Sequence, residues 1–237
     1  YEIFDEDSRL NRSQAARVEF LTSVKIIEEY LRPGDKILDI GAGAGEYSLY
    51  FAGKGYEVHA LELADANIAS FRRKISSSHP VELIQGNALD LSAYEDESFD
   101  IVLMFGPLYH LASPEERLKA IEEAKRVCKK SGKLFFAFIT NDMVILTEFN
   151  YNSSYFTDGD YDKETFRLDD FPFVFSTVDG CRKMLDDAGY PDCKICISNS
   201  LDEYIIRDII MQGAQVDAFG VGERLITSKP EPVFGCV

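Results

Sequence analysis

The sequence predicts an α/β chain built on a doubly wound, mostly parallel sheet, and three observations carry that prediction. Short apolar runs at 37–40, 57–61, 81–85, 98–104 and 133–140 alternate with longer stretches of helical period. The first run passes straight into Gly41-Ala42-Gly43-Ala44-Gly45 and then into a helical pattern at 46–52. The resulting order, β-α-β-α-β-β-α-β, suits right-handed crossovers and helices on both faces of one sheet. The run at 37–40 reads as a buried parallel strand, and the glycines after it allow a ligand to approach the backbone without meeting a Cβ. N–H groups at the start of the following helix are expected to face that ligand.

The spacing of the glycines narrows the ligand. A dinucleotide fold places its third glycine three residues after the second. Here the third is Gly45, two after Gly43, and Glu46 stands where the dinucleotide pattern needs glycine. Asp39 lies two residues before Gly41. This stretch resembles motif I of the class I S-adenosylmethionine-dependent methyltransferases, an acidic residue followed by G-x-G-x-G on a Rossmann-like fold. A cofactor with an ammonium and a sulfonium gives a carboxylate beside the loop a physical reason. By that resemblance Asp39, Gly41, Ala42, Gly43 and Gly45 cradle the methionine end of S-adenosylmethionine or of the product S-adenosylhomocysteine.

The elements follow in order. Residues 1–14 form a polar arm, in which the resemblance puts Tyr1 and Arg9 near cofactor or substrate. Phe20, Val24, Ile27 and Leu31 recur at helical spacing over 15–31, and Pro33-Gly34 ends that helix. The second strand ends in Glu62, 21 positions beyond Gly41, near the ~20 expected of an acid that accepts from ribose hydroxyls; Leu63 beside it joins the cofactor-binding set. His59, inside that strand, reads as a packed side chain. After the third strand comes Gly86-Asn87-Ala88, and the resemblance gives Asn87 the adenine amino group and the Ala88 N–H the ring. Asp90 is a further candidate or an exposed turn acid.

The fourth strand leads into Phe105-Gly106-Pro107-Leu108-Tyr109-His110-Leu111. Loops after strands in such sheets face the ligand crevice, and this run resembles motif IV of small-molecule methyltransferases. Phe105 then borders the cofactor. His110 is the histidine placed for proton transfer and Tyr109 offers a hydroxyl, so these two are the candidate catalytic residues, either as chemistry or as lining. Ser113-Pro114-Glu115-Glu116 reads as a capping box opening a helix to 129, and Ser131-Gly132 as its end before a fifth strand at 133–140.

Residues 141–175 break the periodicity. Aromatics from Phe149 to Phe175 interleave with acids from Asp158 to Asp170, an insertion expected to form a substrate lid able to hold an amine, or a solvated excursion packed by its own rings. A helix is expected over 177–188. From about 182 onward the chain changes character. The run 182–195, Ser198-Asn199-Ser200-Leu201-Asp202-Glu203 and 212–228 resemble the tail of nicotinate phosphoribosyltransferase, in which Gly220-Val221-Gly222 would match a phosphate-binding turn. The chain thus reads as a chimera: a methyltransferase domain at 1–190 and a segment at 191–237 packed onto or completing the same sheet. Strands are expected at 194–198 and at 216–219 or 224–227, with a helix at 201–211. The resembling fold needs an antiparallel hairpin there.

Composition bounds the partners. The 237 residues are 46% hydrophobic, and no stretch reaches the ~18 apolar residues of a membrane span. A net charge of −16 argues against nucleic acid, whose phosphates need clustered Lys and Arg. Five cysteines without a framework spacing suggest reduced thiols and a cytoplasmic setting. Cys193 and Cys196 form a lone C-x-x-C, read as incidental rather than a metal site, and no metal is expected. The chain opens on Tyr1 rather than methionine, which leaves room for residues in front of it. The reading is a methyltransferase acting on a small molecule; the alternatives are a fragment of a nicotinate phosphoribosyltransferase or a non-catalytic S-adenosylmethionine-binding protein.

Overall fold

The computed structural model describes residues 14–140, 154, 157, 173–198, 201, 203–211, 213 and 215–220. The chain divides into two compact units, Pro33–Pro191 and a second made of Tyr1–Arg32 with Asp192–Val237.

The first unit holds a five-stranded parallel sheet. Its strands are β1 (Lys36–Ile40), β2 (Glu57–Glu62), β3 (Val81–Gln85), β4 (Phe99–Met104) and β5 (Cys128–Phe136), ordered β3-β2-β1-β4-β5. This is the doubly wound sheet that the alternating pattern predicts. β1, β2 and β4 are almost wholly buried, as strands covered on both faces must be. The crossover helices are α2 (Glu46–Gly53), α3 (Asp65–Lys74) and α4 (Pro114–Val127). Phe51 of α2, Phe71 of α3 and Ile121 of α4 are fully buried.

The chain steps outward from β1 to β3 and then returns to place β4 beside β1 on its other side. The strand order therefore reverses between β1 and β4, and a crevice opens beyond their carboxyl ends.

Two sequence expectations are corrected here. α4 ends at Val127, where Cys128 turns extended (φ −77°, ψ 134°), and β5 begins at once. Ser131-Gly132 thus lies inside the strand. Gly132 is needed because a Cβ there would come within 2.7 Å of the Asp100 carbonyl oxygen and the Cys128 sulfur. The predicted end of the fifth strand is separate: β6 (Ile139–Thr140) pairs in parallel with β7 (Phe175–Ser176) as a two-stranded sheet of its own. Apart from Ser154, Thr157 and residues 173–175, the expected lid lies outside the described residues.

α5 (Val178–Asp187) is capped by Thr177, whose hydroxyl oxygen accepts the Gly180 N–H at 3.0 Å. Gly189, at φ +87°, closes its far end, with the Tyr190 N–H donating to the Leu185 carbonyl.

The second unit contains α1 (Gln14–Glu28), whose Phe20, Val24 and Ile27 are buried as the helical spacing requires. It also contains β8 (Cys196–Ser198), α6 (Glu203–Met211) and β9 (Ala218–Gly220). The expected tail strands pair with each other, and in parallel, so among the described residues they neither extend the five-stranded sheet nor form an antiparallel hairpin. The helix between them is the reason: a β-α-β connection returns the second strand in the same direction. Tyr1, Arg9 and the glycine turn at 220–222, beyond Gly220, lie outside the described residues.

Candidate active site

The site is built where β1 and β4 part. The Gly41 turn adopts the left-handed conformation at three places, Gly41 (φ +71°), Gly43 (φ +56°) and Gly45 (φ +88°). Two of these glycines are also required by close approach. A Cβ on Gly41 would lie 2.7 Å from the Pro107 ring, and one on Gly45 would lie 2.3 Å from the Phe71 ring. The first contact brings the loop after β4 against the loop after β1, so the two candidate loops share one crevice.

Four N–H groups of the turn are engaged by the protein itself. Those of Gly41 and Ala42 donate to the Leu61 carbonyl at 2.7 and 3.1 Å, and that of Gly45 to the Ala42 carbonyl. That of Gly43 donates to Glu62 Oε2 at 2.8 Å. The expectation of N–H groups facing a ligand concerns the start of the following helix, Glu46 onward, and these four bonds in the preceding turn do not test it. A turn whose donors are taken is poorly suited to phosphate, which needs N–H groups.

Two buried carboxylates lie beside it instead. Asp39 is 2% exposed and accepts the Ser48 hydroxyl at 2.6 Å. Burial pushes its carboxyl up to about 6; the Ser48 bond opposes this and the neighbouring Glu62 charge adds to it. Glu62 is 5% exposed. Its Oε1 accepts the Ala64 N–H at 2.9 Å and the Asn67 amide at 3.3 Å. The pair makes a negative, water-poor place that favours a cation.

Next to Glu62, Leu63 presents an apolar side chain that is 53% exposed. Gln85 fixes the backbone there, its amide donating to the Leu63 carbonyl and to Asp65 Oδ1 at 3.3 and 2.7 Å. After β3, Ala88 is buried and Asn87 exposed. The Asn87 side-chain oxygen accepts the Leu89 N–H at 3.0 Å, leaving it one further acceptor position. Asp90 is exposed and folds onto Ser92, whose hydroxyl and N–H together hold its carboxyl below the usual range.

The β4 loop supplies rings. Phe105 meets Tyr47 of α2 edge-on at 5.0 Å. Pro107–Tyr109 forms a short 3-10 turn. Tyr109, His110 and Phe173 cluster, with centroids 4.9 Å apart for Tyr109–His110 and for His110–Phe173. The Val174 N–H donates to the Tyr109 carbonyl at 2.7 Å. From α4, the buried Arg117 donates to the Leu111 and Ala112 carbonyls at 2.7 and 3.0 Å and pins the end of the loop.

Ser48, Asn67, Tyr47 and Arg117 were not marked by the sequence. No spacing rule links Ser48 to Asp39 across a turn, or Arg117 to carbonyls that precede its own helix. His59 lies away from this crevice, packed edge-on against Phe99 at 5.3 Å and bonded to Glu57 at 3.1 Å. Cys193 and Cys196 are free thiols, and among the described residues no cluster of three or more metal-binding side chains occurs.

Comparison with known proteins agrees with this geometry. Residues 38–136 match the family described as a methyltransferase domain. The structure resembles that of an S-adenosylmethionine-dependent methyltransferase from Methanosarcina mazei, 27% identical, with a TM-score of 0.54 over 69% of this chain and 82% of that one. Among curated proteins, demethylmenaquinone methyltransferase of Bacillus mycoides is 30% identical over 140 residues, 56% of this chain and 55% of that protein. Nicotinate phosphoribosyltransferase of Bacillus subtilis is 48% identical over 56 residues, 24% of this chain and 11% of that enzyme. The chain spans about half the length of the curated methyltransferases it matches. The match to the methyltransferase domain family covers residues 38–136, and the sheet order there is that of the class I methyltransferase fold.

Proposed function

We propose that this chain is an S-adenosylmethionine-dependent methyltransferase acting on a small molecule. The observation that supports it best is the pair of buried carboxylates, Asp39 and Glu62, set against a glycine turn with four N–H groups already bonded. That arrangement suits a cationic ligand carrying a diol. Glu62 accepts from the ribose hydroxyls, Asp39 stabilises the positive charge at the methionine end through space, and Leu63 and Ala88 give the adenine an apolar bed. Asn87 keeps an acceptor position for the adenine amino group.

S-adenosylmethionine, when bound, supplies a methyl group on a sulfonium with a good leaving group. Alignment then carries much of the rate. Phe105 and Tyr47 exclude water from the crevice, Tyr109 orients the acceptor, and His110 takes the proton that the acceptor loses. The rings of Tyr109, His110 and Phe173 favour a flat, apolar acceptor, and the net charge of −16 disfavours nucleic acid. Among the described residues no helix is long and apolar enough to cross a membrane. The acceptor is read as a small molecule, and five cysteines without a framework spacing suit a reducing, cytoplasmic setting.

The test is calorimetric titration with S-adenosylhomocysteine, using native protein, Glu62→Ala and Glu62→Gln. Hydrogen bonds to a charged group are worth about 1.5–3 kcal/mol, so both variants are expected to bind roughly tenfold or more weakly. Glu62→Gln keeps the length of the side chain and one acceptor oxygen, whereas Glu62→Ala removes both. Folded native protein that does not bind S-adenosylhomocysteine would overturn the reading. If it bound phosphoribosyl pyrophosphate instead, the tail similar to nicotinate phosphoribosyltransferase would be the better guide.

A further inference from the structure

The hydrogen bonds already made by Glu62 leave too few acceptor positions for a ribose diol. A carboxylate oxygen accepts about two hydrogen bonds. Glu62 Oε2 receives one, from the Gly43 N–H at 2.8 Å, and keeps one place. Oε1 receives two, from the Ala64 N–H at 2.9 Å and the Asn67 amide at 3.3 Å, and is full. A ribose brings two donors on adjacent carbons. The first hydroxyl can join Oε2; the second can reach Oε1 only by displacing a donor already there.

The two donors on Oε1 differ in how readily they leave. The Ala64 N–H belongs to backbone at the N-cap of α3, held extended (φ −81°, ψ 123°), and the Ala64 carbonyl accepts the Ile68 N–H. It cannot turn away without unwinding the helix start. Asn67 is a half-buried side chain in the first turn of α3, its bond is the longest of the three, and rotation about its own χ angles releases it. Once turned out, its amide regains water.

We propose that Asn67 is a specificity-determining residue of the ribose site, its amide holding the place on Glu62 Oε1 that one ribose hydroxyl takes over. This rests on the functional reading above. The amide keeps a nearly buried carboxylate satisfied wherever no hydroxyl takes its place. When the ligand lacks that hydroxyl, the amide remains in place and the loss is softened. Native protein therefore discriminates weakly at one hydroxyl of the ribose and strongly at the other, and without Asn67 it discriminates strongly at both.

The experiment is calorimetric titration of the full chain with S-adenosylhomocysteine and its 2′-deoxy and 3′-deoxy analogues, for native protein, Asn67→Leu and Asn67→Ala. Each protein is compared only with itself, so a general effect of the substitution on the fold cancels. Native protein is expected to lose about tenfold or more for one analogue and about threefold or less for the other. In both variants the second loss should also reach about tenfold. Losses that agree between native protein and variants to within about twofold, for both analogues, would overturn the inference while leaving the cofactor site intact. Native protein that binds none of the three ligands overturns the functional reading and this inference with it.

Discussion

Asp39 shows how much one side chain can bind stability to function. Its carboxyl titrates near 3.8 when unfolded and is pushed up to about 6 when folded, chiefly by burial. The folded state thus prefers the protonated form. Its favourable contribution is present below pH 4 and is lost as pH rises through about 6. Asp39→Asn keeps the shape and a partner for the Ser48 hydroxyl while removing the charge. It should raise stability at pH 7 by about 1–3 kcal/mol, read from the urea midpoint, with the gain shrinking toward pH 4. The charge has the opposite value for a sulfonium. S-adenosylmethionine affinity should fall as pH drops through about 6 in native protein and stay flat in Asp39→Asn. The position of Asp39 before the glycines, inside a run read as a buried strand, was legible in the sequence; its Ser48 partner was not, because α2 brings that hydroxyl to it.

At the scale of elements, the glycine turn separates conformational from steric need. Gly34 and Gly45 share φ +88°, but a Cβ on Gly34 meets nothing within 4 Å, while one on Gly45 runs into the buried Phe71 ring at 2.3 Å. Gly34→Ala should cost about 1 kcal/mol, the backbone penalty alone. Gly45→Ala adds overpacking, typically about 1–3 kcal/mol more, and should weaken cofactor binding because it shifts the start of α2. Urea unfolding of the two variants checks the difference. The sequence marked all three glycines of the cradle, since their spacing is a local property. It missed the boundary of α4 and β5, since Gly132 resembles a helix stop and only the nearby Asp100 carbonyl explains it.

At the scale of the whole molecule, every described candidate site residue lies in the Pro33–Pro191 unit. Hydrogen exchange should therefore show S-adenosylhomocysteine protecting amides between β1 and the loop after β4, with those of β8 and β9 unchanged. Protection spread equally over both units would contradict this division. The tail forms its own parallel pair around α6, and its short similarity to a phosphoribosyltransferase covers only 11% of that enzyme. It brings sequence history to the chain without a described strand for the main sheet.

The sequence by itself determined the α/β class, the glycine turn after β1, the acid at the end of β2 and the loop with Tyr109 and His110. These are set by local spacing and by the alternation of apolar runs. Only the tertiary structure decided that the turn is closed by its own hydrogen bonds, that Asn67 shares Glu62, that Arg117 pins the β4 loop, and that the tail strands pair with each other. The bonds of the turn to Leu61 and Glu62 and the pairing of the tail strands join residues distant in the chain. Those of Asn67 and Arg117 are short-range and depend on where a helix start aims the side chain; no periodicity records either.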